Sequence, residues 1–274
     1  MENLVTLQFG ASTKILCYAD DIAIISTGPR MDQKAQEALT TVANKCEELG
    51  LKINHDETKA MTFGTKPQPP LKISGTDVGW ANSHTYLGVC FDHHLSFKQH
   101  IAAKKVRVDA RIKIMKYMTS PNQGASSTVL RMFYIQAIRS IIEYAAPCIS
   151  TASHTCMEEL EKMQNTALRL ILGAPKWTRI CNMQIEANLP PLRNRIQSAN
   201  LFHLQKFIRK ENAKLHLNIK QALQQDPTLF TKKTWANQIA GGIKELGVQQ
   251  LFFNLEMDPP DNTYRTPPPG KEKQ

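Results

Sequence analysis

The sequence has no apolar run approaching the roughly 20 residues that a membrane-spanning helix needs. Its first residues, Met1-Glu2-Asn3-Leu4, lack the basic segment and apolar core of a signal peptide. It has no Cys-x-x-Cys pair, and its six cysteines are scattered at 17, 46, 90, 148, 156 and 181. That spread excludes a dense disulfide framework and reads as reduced, mostly structural thiols. The expectation is a protein of the nucleus or cytoplasm with no membrane association. No internal repeat is present. Aspartate is missing from residues 1–19, where the one acidic residue is Glu2.

What is present is ordinary for a globular protein, with 42% hydrophobic and 21% charged residues. At 274 residues the chain is long enough for one large domain or two small ones. The net charge of +10 is unevenly spread. Residues 1–97 hold 8 Lys/Arg and 11 Asp/Glu, whereas residues 98–274 hold 26 and 13. A basic back half suits a polyanion partner, nucleic acid first among them.

Hydrophobic periodicity divides the chain into an α+β module and a helical module joined near residue 95. Residues 4–9, 14–18 and 22–26 read as strands. Met31 to Leu49 repeats apolar residues at helical spacing, and Gly50 suits the helix end. Residues 59–63 and 84–91 read as strands, and 71–74 with 76–79 as a hairpin around Gly75. Helices are expected over 97–118, 126–146, 156–172, 179–187, 192–224 and near 235–246. Thr155 with Glu158 fits a capping box. The five prolines from Pro259 onward mark a disordered tail.

Two features carry chemistry. Asp20 and Asp21 lie between the apolar runs Ile15-Leu16-Cys17 and Ile22-Ala23-Ile24-Ile25. Two adjacent carboxylates at a strand-to-strand turn suit a divalent cation that offsets their repulsion, or form a plain polar turn. The second feature is the 97–118 helix, where Lys104, Lys105, Arg107, Arg111, Lys113 and Lys116 outnumber one acid, Asp109. Ile101, Val108, Ile112 and Met115 share one face, with Lys104, Arg107 and Arg111 as a stripe beside it. Such a stripe is either a salt-sensitive phosphate-binding surface or a solvated helix face. Arg193, Arg195, Lys206, Arg209 and Lys210 extend it. Cys90, His93, His94 and His100 fit no standard structural zinc spacing.

These pieces, in order, resemble the reverse transcriptases of non-LTR (LINE or jockey-like) retrotransposons. Tyr18-Ala19-Asp20-Asp21 resembles that family's third catalytic motif. Gly50-Leu51-Lys52-Ile53-Asn54 with Lys59 resembles the fourth, and Tyr86-Leu87-Gly88 the fifth. The likeness continues through Leu95–Ile101, Ile142–Ala145, Gln164–Arg169 and Leu189–Leu192. It implies a partial palm over 1–95, a small antiparallel sheet with a packed helix. A helical thumb over 96–190, a helical connection over 191–258 and the tail over 259–274 would follow.

The resemblance also implies RNA-directed DNA synthesis with Mg²⁺, on an RNA template and an RNA/DNA duplex. Asp20 would be the main Mg²⁺ ligand and Asp21 a weaker one. Tyr18 and Ala19 would sit beneath the primer end, and Tyr86, Leu87 and Gly88 would form the hairpin that grips it. Two departures stand out. Glu57 occupies the place, three residues after Asn54, where the family has Lys, with Lys59 two residues on. The family's first-motif aspartate, its Pro-Gln-Gly motif and the fingers are not found in this sequence. Two carboxylates cannot hold two Mg²⁺ ions by themselves. The expectation is a reverse-transcriptase fragment that is inactive alone. The alternative is a non-catalytic nucleic-acid-binding module. A sheet edge left open would favour self-association.

Overall fold

A computed structural model describes residues 7, 9–10, 12–64, 69–120, 124–209, 213–224 and 234–250. The chain divides into two units, Met1–Ser96 and Phe97–Gln274. The architecture is α+β, with small antiparallel sheets in the first unit and helices in the second.

In the first unit, β1 (Thr13–Tyr18) and β2 (Asp21–Ser26) form an antiparallel hairpin, in register from Thr13↔Ser26 to Tyr18↔Asp21. Alternation sorts its residues by face. Ile15, Cys17, Ile22 and Ile24 pack against Val42 and Cys46 of α1 (Met31–Glu48). Leu16, Tyr18 and Ile25 stay exposed on the other face. Ala38, Val42 and Cys46 recur every four residues, which puts them on one stripe of α1. Gly50, at φ 68°, turns the chain away from the helix end, and its N–H bonds the Glu47 carbonyl.

Two further hairpins follow, β3 (Leu71–Ile73) with β4 (Thr76–Val78), and β5 (Ser83–Tyr86) with β6 (Val89–Asp92). Their two-residue loops, Ser74-Gly75 and Leu87-Gly88, take positive φ at both positions, the type I′ pattern that matches strand twist. The Gln36 side chain of α1 holds β3 as a strand would. Its Nε2 donates to the Lys72 carbonyl (2.9 Å) and its Oε1 accepts from the Lys72 N–H (2.8 Å).

Several expected elements differ. Residues 84–91 are a hairpin rather than one strand, because the Leu87-Gly88 turn reverses the chain. The expected strand at 59–63 reduces to a single parallel bridge between Ala60 and Trp80. Leu7 and Phe9 are in no strand, and the rest of 4–8 lies outside the described residues. Among the described residues, strands pair only within three separate two-stranded sheets, and the outer edges of β1 and β2 carry no strand.

The second unit begins with α2 (Lys98–Met118) and α3 (Ser127–Phe133). A π-helical segment, Tyr134–Arg139, links α3 to α4 (Ser140–Glu143). Then come α5 (Ala146–Ile149), α6 (His154–Leu172), α7 (Ile180–Glu186), α8 (Leu192–Arg209), α9 (Ala213–Gln224) and α10 (Trp235–Glu245). The helix expected over 126–146 is thus broken at Tyr144, where ψ reaches 132°. The expected 192–224 helix divides into α8 and α9, with 210–212 outside the described residues. Ser153, not Thr155, caps α6, accepting from the Cys156 N–H. The 259–274 tail also lies outside the described residues.

A buried polar chain runs through this unit. The fully buried Tyr134 hydroxyl donates to Gln164 Oε1 (2.7 Å), and Gln164 Nε2 donates to the Pro190 carbonyl (2.9 Å). It ties the π segment to α6 and to the loop before α8. Beside it, Arg195 of α8 donates to both oxygens of Glu143 (3.0 and 3.2 Å), which also meets Arg139. Leu204, Ile219, Leu223, Ile239 and Ile243 make a separate core among α8, α9 and α10.

Replacing Tyr134 by Phe leaves the buried Gln164 oxygen without its donor. We expect a loss of about 1–3 kcal/mol, seen as a lower urea midpoint with unchanged slope.

Candidate catalytic turn and nucleic-acid interface

The two carboxylates sit where strand physics puts them. Tyr18 and Asp21 pair across the hairpin, so Ala19 and Asp20 are its two-residue loop. Ala19 takes φ 51°, a left-handed conformation that costs an L-residue about 1–2 kcal/mol. Asp20 and Asp21 are exposed at the tip, and Tyr18 beside them is 65% exposed. Ser74 and Leu87 take the same left-handed conformation at the first loop position of the other two hairpins.

The β5–β6 hairpin carries the segment that resembles the fifth motif. Burial raises the Tyr86 phenol above its ordinary value, the Asp21 carboxylate raises it further, and Cys17 adds to both. Leu87 and Gly88 form the neighbouring turn.

The segment resembling the fourth motif is a polar turn. Asn54 Oδ1 accepts from the Asp56 N–H (3.2 Å), and the Asn54 carbonyl accepts from the Thr58 N–H and hydroxyl. Glu57 is exposed. Lys59 is exposed along its length and carries its Nζ to Gly79, 3.9 Å from where a Cβ there would lie. Among the described residues, no three His, Cys, Asp or Glu side chains are grouped closely enough to hold a metal ion. Asp20 and Asp21 therefore stand as a pair. His93 Nδ1 instead meets the Thr62 carbonyl (2.5 Å), and Asp92 caps the turn after β6 by accepting from the His94 and Ser96 N–H groups.

The basic helix α2 differs from its expected form at one residue. Lys104 does not join a surface stripe, for it is buried at 3% exposure. Its Nζ donates to the carbonyls of Ile142 (3.0 Å) and Tyr144 (2.6 Å). Those oxygens lie where α4 ends and the chain turns, so they lack helical partners. Burial pushes the Lys104 ammonium down to about 8, with Arg107 adding to the effect and Cys148 opposing it. Counting along α2 shows why. Ile101, Lys104, Val108, Ile112 and Met115 fall on the core-facing repeat, so position 104 points inward whatever its charge.

The remaining cations stay outward. Arg107 is exposed, and Arg111 is half-buried, with its Nη1 at 3.4 Å from the Arg107 carbonyl. Lys105 sits 3.4 Å from Glu159, which Lys162 also pairs at 2.7 Å. Arg193 is exposed, whereas Arg195 is engaged by Glu143, and Lys206 lies over the Phe202 ring. Lys210 and the Arg209 side chain lie outside the described residues. A feature missing from the sequence reading is Trp177, 86% exposed between Lys176 and Arg179. A tryptophan flanked by two cations just after Gly-Ala-Pro was its available signal.

Residues 1–91 match the family described as reverse transcriptase (RNA-dependent DNA polymerase). The chain is 25% identical, over 65% of its length, to the probable RNA-directed DNA polymerase from transposon BS of Drosophila melanogaster, covering 20% of that protein. It is 25% identical, over 74% of its length, to the RNA-directed DNA polymerase from mobile element jockey of Drosophila funebris, covering 23%. A probable polymerase from transposon X-element of Drosophila melanogaster is 22% identical over 59% of the chain, covering 18% of that relative. The chain spans about a fifth of the length of these curated relatives. No solved structure matches it. The chain is thus related to the reverse transcriptases of non-LTR retrotransposons, with the family match in its first third.

Two predictions follow from the geometry. Lys104→Met orphans two carbonyls and should destabilise the protein by about 1–3 kcal/mol. The folded-state value near 8 lies below the ordinary 10.5. Below pH 8 both states hold the proton and the cost of the buried charge is fully present. Between pH 8 and 10.5 the unfolded chain binds more protons, so native stability gains roughly 3 kcal/mol from this group. The deficit of Lys104→Met against the parent should therefore widen from pH 8 to 10 in urea melts; a constant deficit would refute the assignment. At the acidic turn, Ala19→Gly removes the left-handed penalty and should raise the unfolding midpoint, by about 1 kcal/mol.

Proposed function

We propose that this chain is the palm-and-thumb portion of an RNA-directed DNA polymerase of a non-LTR retrotransposon. In this reading Asp20 and Asp21 bind Mg²⁺ for nucleotidyl transfer, and the helical unit grips the RNA/DNA duplex by its phosphates. The observation that carries it is the exposed Tyr-Ala-Asp-Asp turn at the tip of the β1–β2 hairpin, within the span that matches reverse transcriptase.

The donor set fits the ion in kind. Carboxylate oxygens on a two-residue turn are hard ligands, and both are open to solvent, so water and phosphate oxygens can fill the remaining octahedral positions. Bound there, Mg²⁺ would activate the primer hydroxyl and offset the charge of the triphosphate. The set falls short in number, because among the described residues Asp20 and Asp21 have no third acidic neighbour. One further carboxylate is needed for an ion pair about 3.5–4 Å apart. Tyr18 supplies an exposed ring face beside the turn, and Tyr86, Leu87 and Gly88 supply a rigid hairpin for the primer end. Lys59 would approach the leaving pyrophosphate only after moving away from Gly79, and Glu57 would repel it.

On the helical unit, Arg107 and Arg111 are the residues of the α2 stripe left to meet phosphate, with Lys105 beside them sharing its charge with Glu159. Among the described residues no strand pairs with the outer edges of β1 and β2, and those edges give a route to association with a further strand. No described helix is long and apolar enough to cross a membrane, and action on nucleic acid in the nucleus or cytoplasm fits this reading. A second reading, binding without chemistry, is favoured by the missing third carboxylate.

The test is primer extension with Mg²⁺ on an RNA template, beside RNA/DNA duplex binding across a salt series. We expect no extension by the chain alone and a linear fall of log K with log salt. Arg107→Ala and Arg111→Ala should each flatten the slope by about 0.9, while Lys104→Met leaves it unchanged. Extension that Asp20→Ala abolishes would mean that a third carboxylate is supplied from elsewhere and would overturn the inactivity. Salt-independent binding would overturn the phosphate-directed grip.

A further inference from the structure

Two large aromatic groups of the second unit stand almost wholly in water, Tyr117 on α2 at 85% exposure and Trp177 in a loop. Trp177 is 86% exposed, whereas Trp80 and Trp235 are half-buried. It sits in the loop between α6 and α7, and that loop is held in shape. Gly173 closes α6 in the left-handed region, and the Ala174 N–H bonds the Arg169 carbonyl (3.0 Å). The Thr178 N–H bonds the Pro175 carbonyl (3.1 Å), which makes a turn around Lys176 and Trp177. Arg169 bridges from α6 by donating to the Asn165 and Lys176 carbonyls (3.1 and 3.4 Å). The helix α7 starts immediately after, at Ile180.

The surroundings are positive. Lys176 and Arg179 are exposed on either side of the indole. No acidic residue occurs from Lys162 to Ile185. A flat, exposed ring on a turn held by backbone hydrogen bonds, with one cation a residue before it and another two residues after, suits a base and its neighbouring phosphates.

We propose that Lys176–Arg179 is a stacking platform for one unpaired base of a nucleic-acid strand. The proposal rests on the nucleic-acid reading above and assigns this loop a ligand distinct from the duplex. Bases inside a duplex have both faces covered by their neighbours, so the indole takes a base in a single-stranded stretch or overhang. Lys176 and Arg179 hold the adjoining phosphates, and the contact is tolerant of sequence because every base has a π face.

The test uses the full chain with three probes: an eight-nucleotide single-stranded RNA, a blunt RNA/DNA duplex, and the same duplex with a single-stranded RNA overhang. Tryptophan emission should be quenched by the single strand and by the overhang. Trp177→Ala should abolish that quenching and weaken single-strand binding roughly 5- to 150-fold, the loss typical of one stacked base. Trp177→Phe should restore most of the affinity. Blunt-duplex binding should be the same in all three proteins. If the parent binds the blunt duplex but Trp177→Ala leaves single-strand affinity unchanged, the platform is overturned and the duplex reading stands. If the parent binds none of the probes at low salt, both fall. If Trp177→Ala instead converts a sedimenting dimer to monomer, the ring belongs to a contact between copies and the platform is overturned.

Discussion

The helical unit depends on a problem of unmatched carbonyls. The path that starts at Ser127 stops being helical at Glu143, then turns through Tyr144 and Ala145 before α5 begins. A helix end buried in this way exposes acceptors that water cannot reach, and each would cost about as much as a lost hydrogen bond. Lys104 supplies the donors from the neighbouring helix. The same break lets Glu143 face α8, where Arg195 grips it with two bonds. The packing of α2, α4 and α8 is therefore organised by polar groups that compensate one another. The apolar residues around them, Val108, Ile112, Ile138 and Ile142, fill the space left by that arrangement.

What could be read beforehand was what short-range chemistry decides. The Asp20-Asp21 turn, α1 and its glycine stop, and the Gly75 hairpin follow from alternation, helical spacing and turn residues. The Leu87-Gly88 turn was misread inside a strand because valine, cysteine and phenylalanine beyond it keep a strand-like composition across the reversal. Lys104 was misread because charge suggested the surface while its position on the helical repeat pointed to the core, and position won. The π segment has no Gly or Pro to mark it, and the break at Tyr144 has as its local signal only Pro147, in the first turn of α5. They arise from the partners of Tyr134 and Glu143, which are about 30 and 52 residues away in the chain.

The candidate site shows the same division. The identities of Asp20, Asp21 and Tyr86 were legible, but that Lys104 leaves the basic stripe for two buried carbonyls is a tertiary fact. Trp177 has no periodicity to mark it, only its two flanking cations after Gly-Ala-Pro, and its exposure and the bonds that hold its turn are tertiary facts.

The separateness of the three hairpins has a kinetic consequence. Among the described residues, each strand pairs with its sequence neighbour, across two residues of loop, and the widest pairing, Thr13 with Ser26, spans 13 residues. Closing such short loops takes microseconds or less, and no pairing waits for a distant segment to arrive. On a ribosome adding about 5–20 residues per second, each hairpin has time to form before the next has been synthesised. The acidic turn can then form ahead of the helices that follow it in sequence.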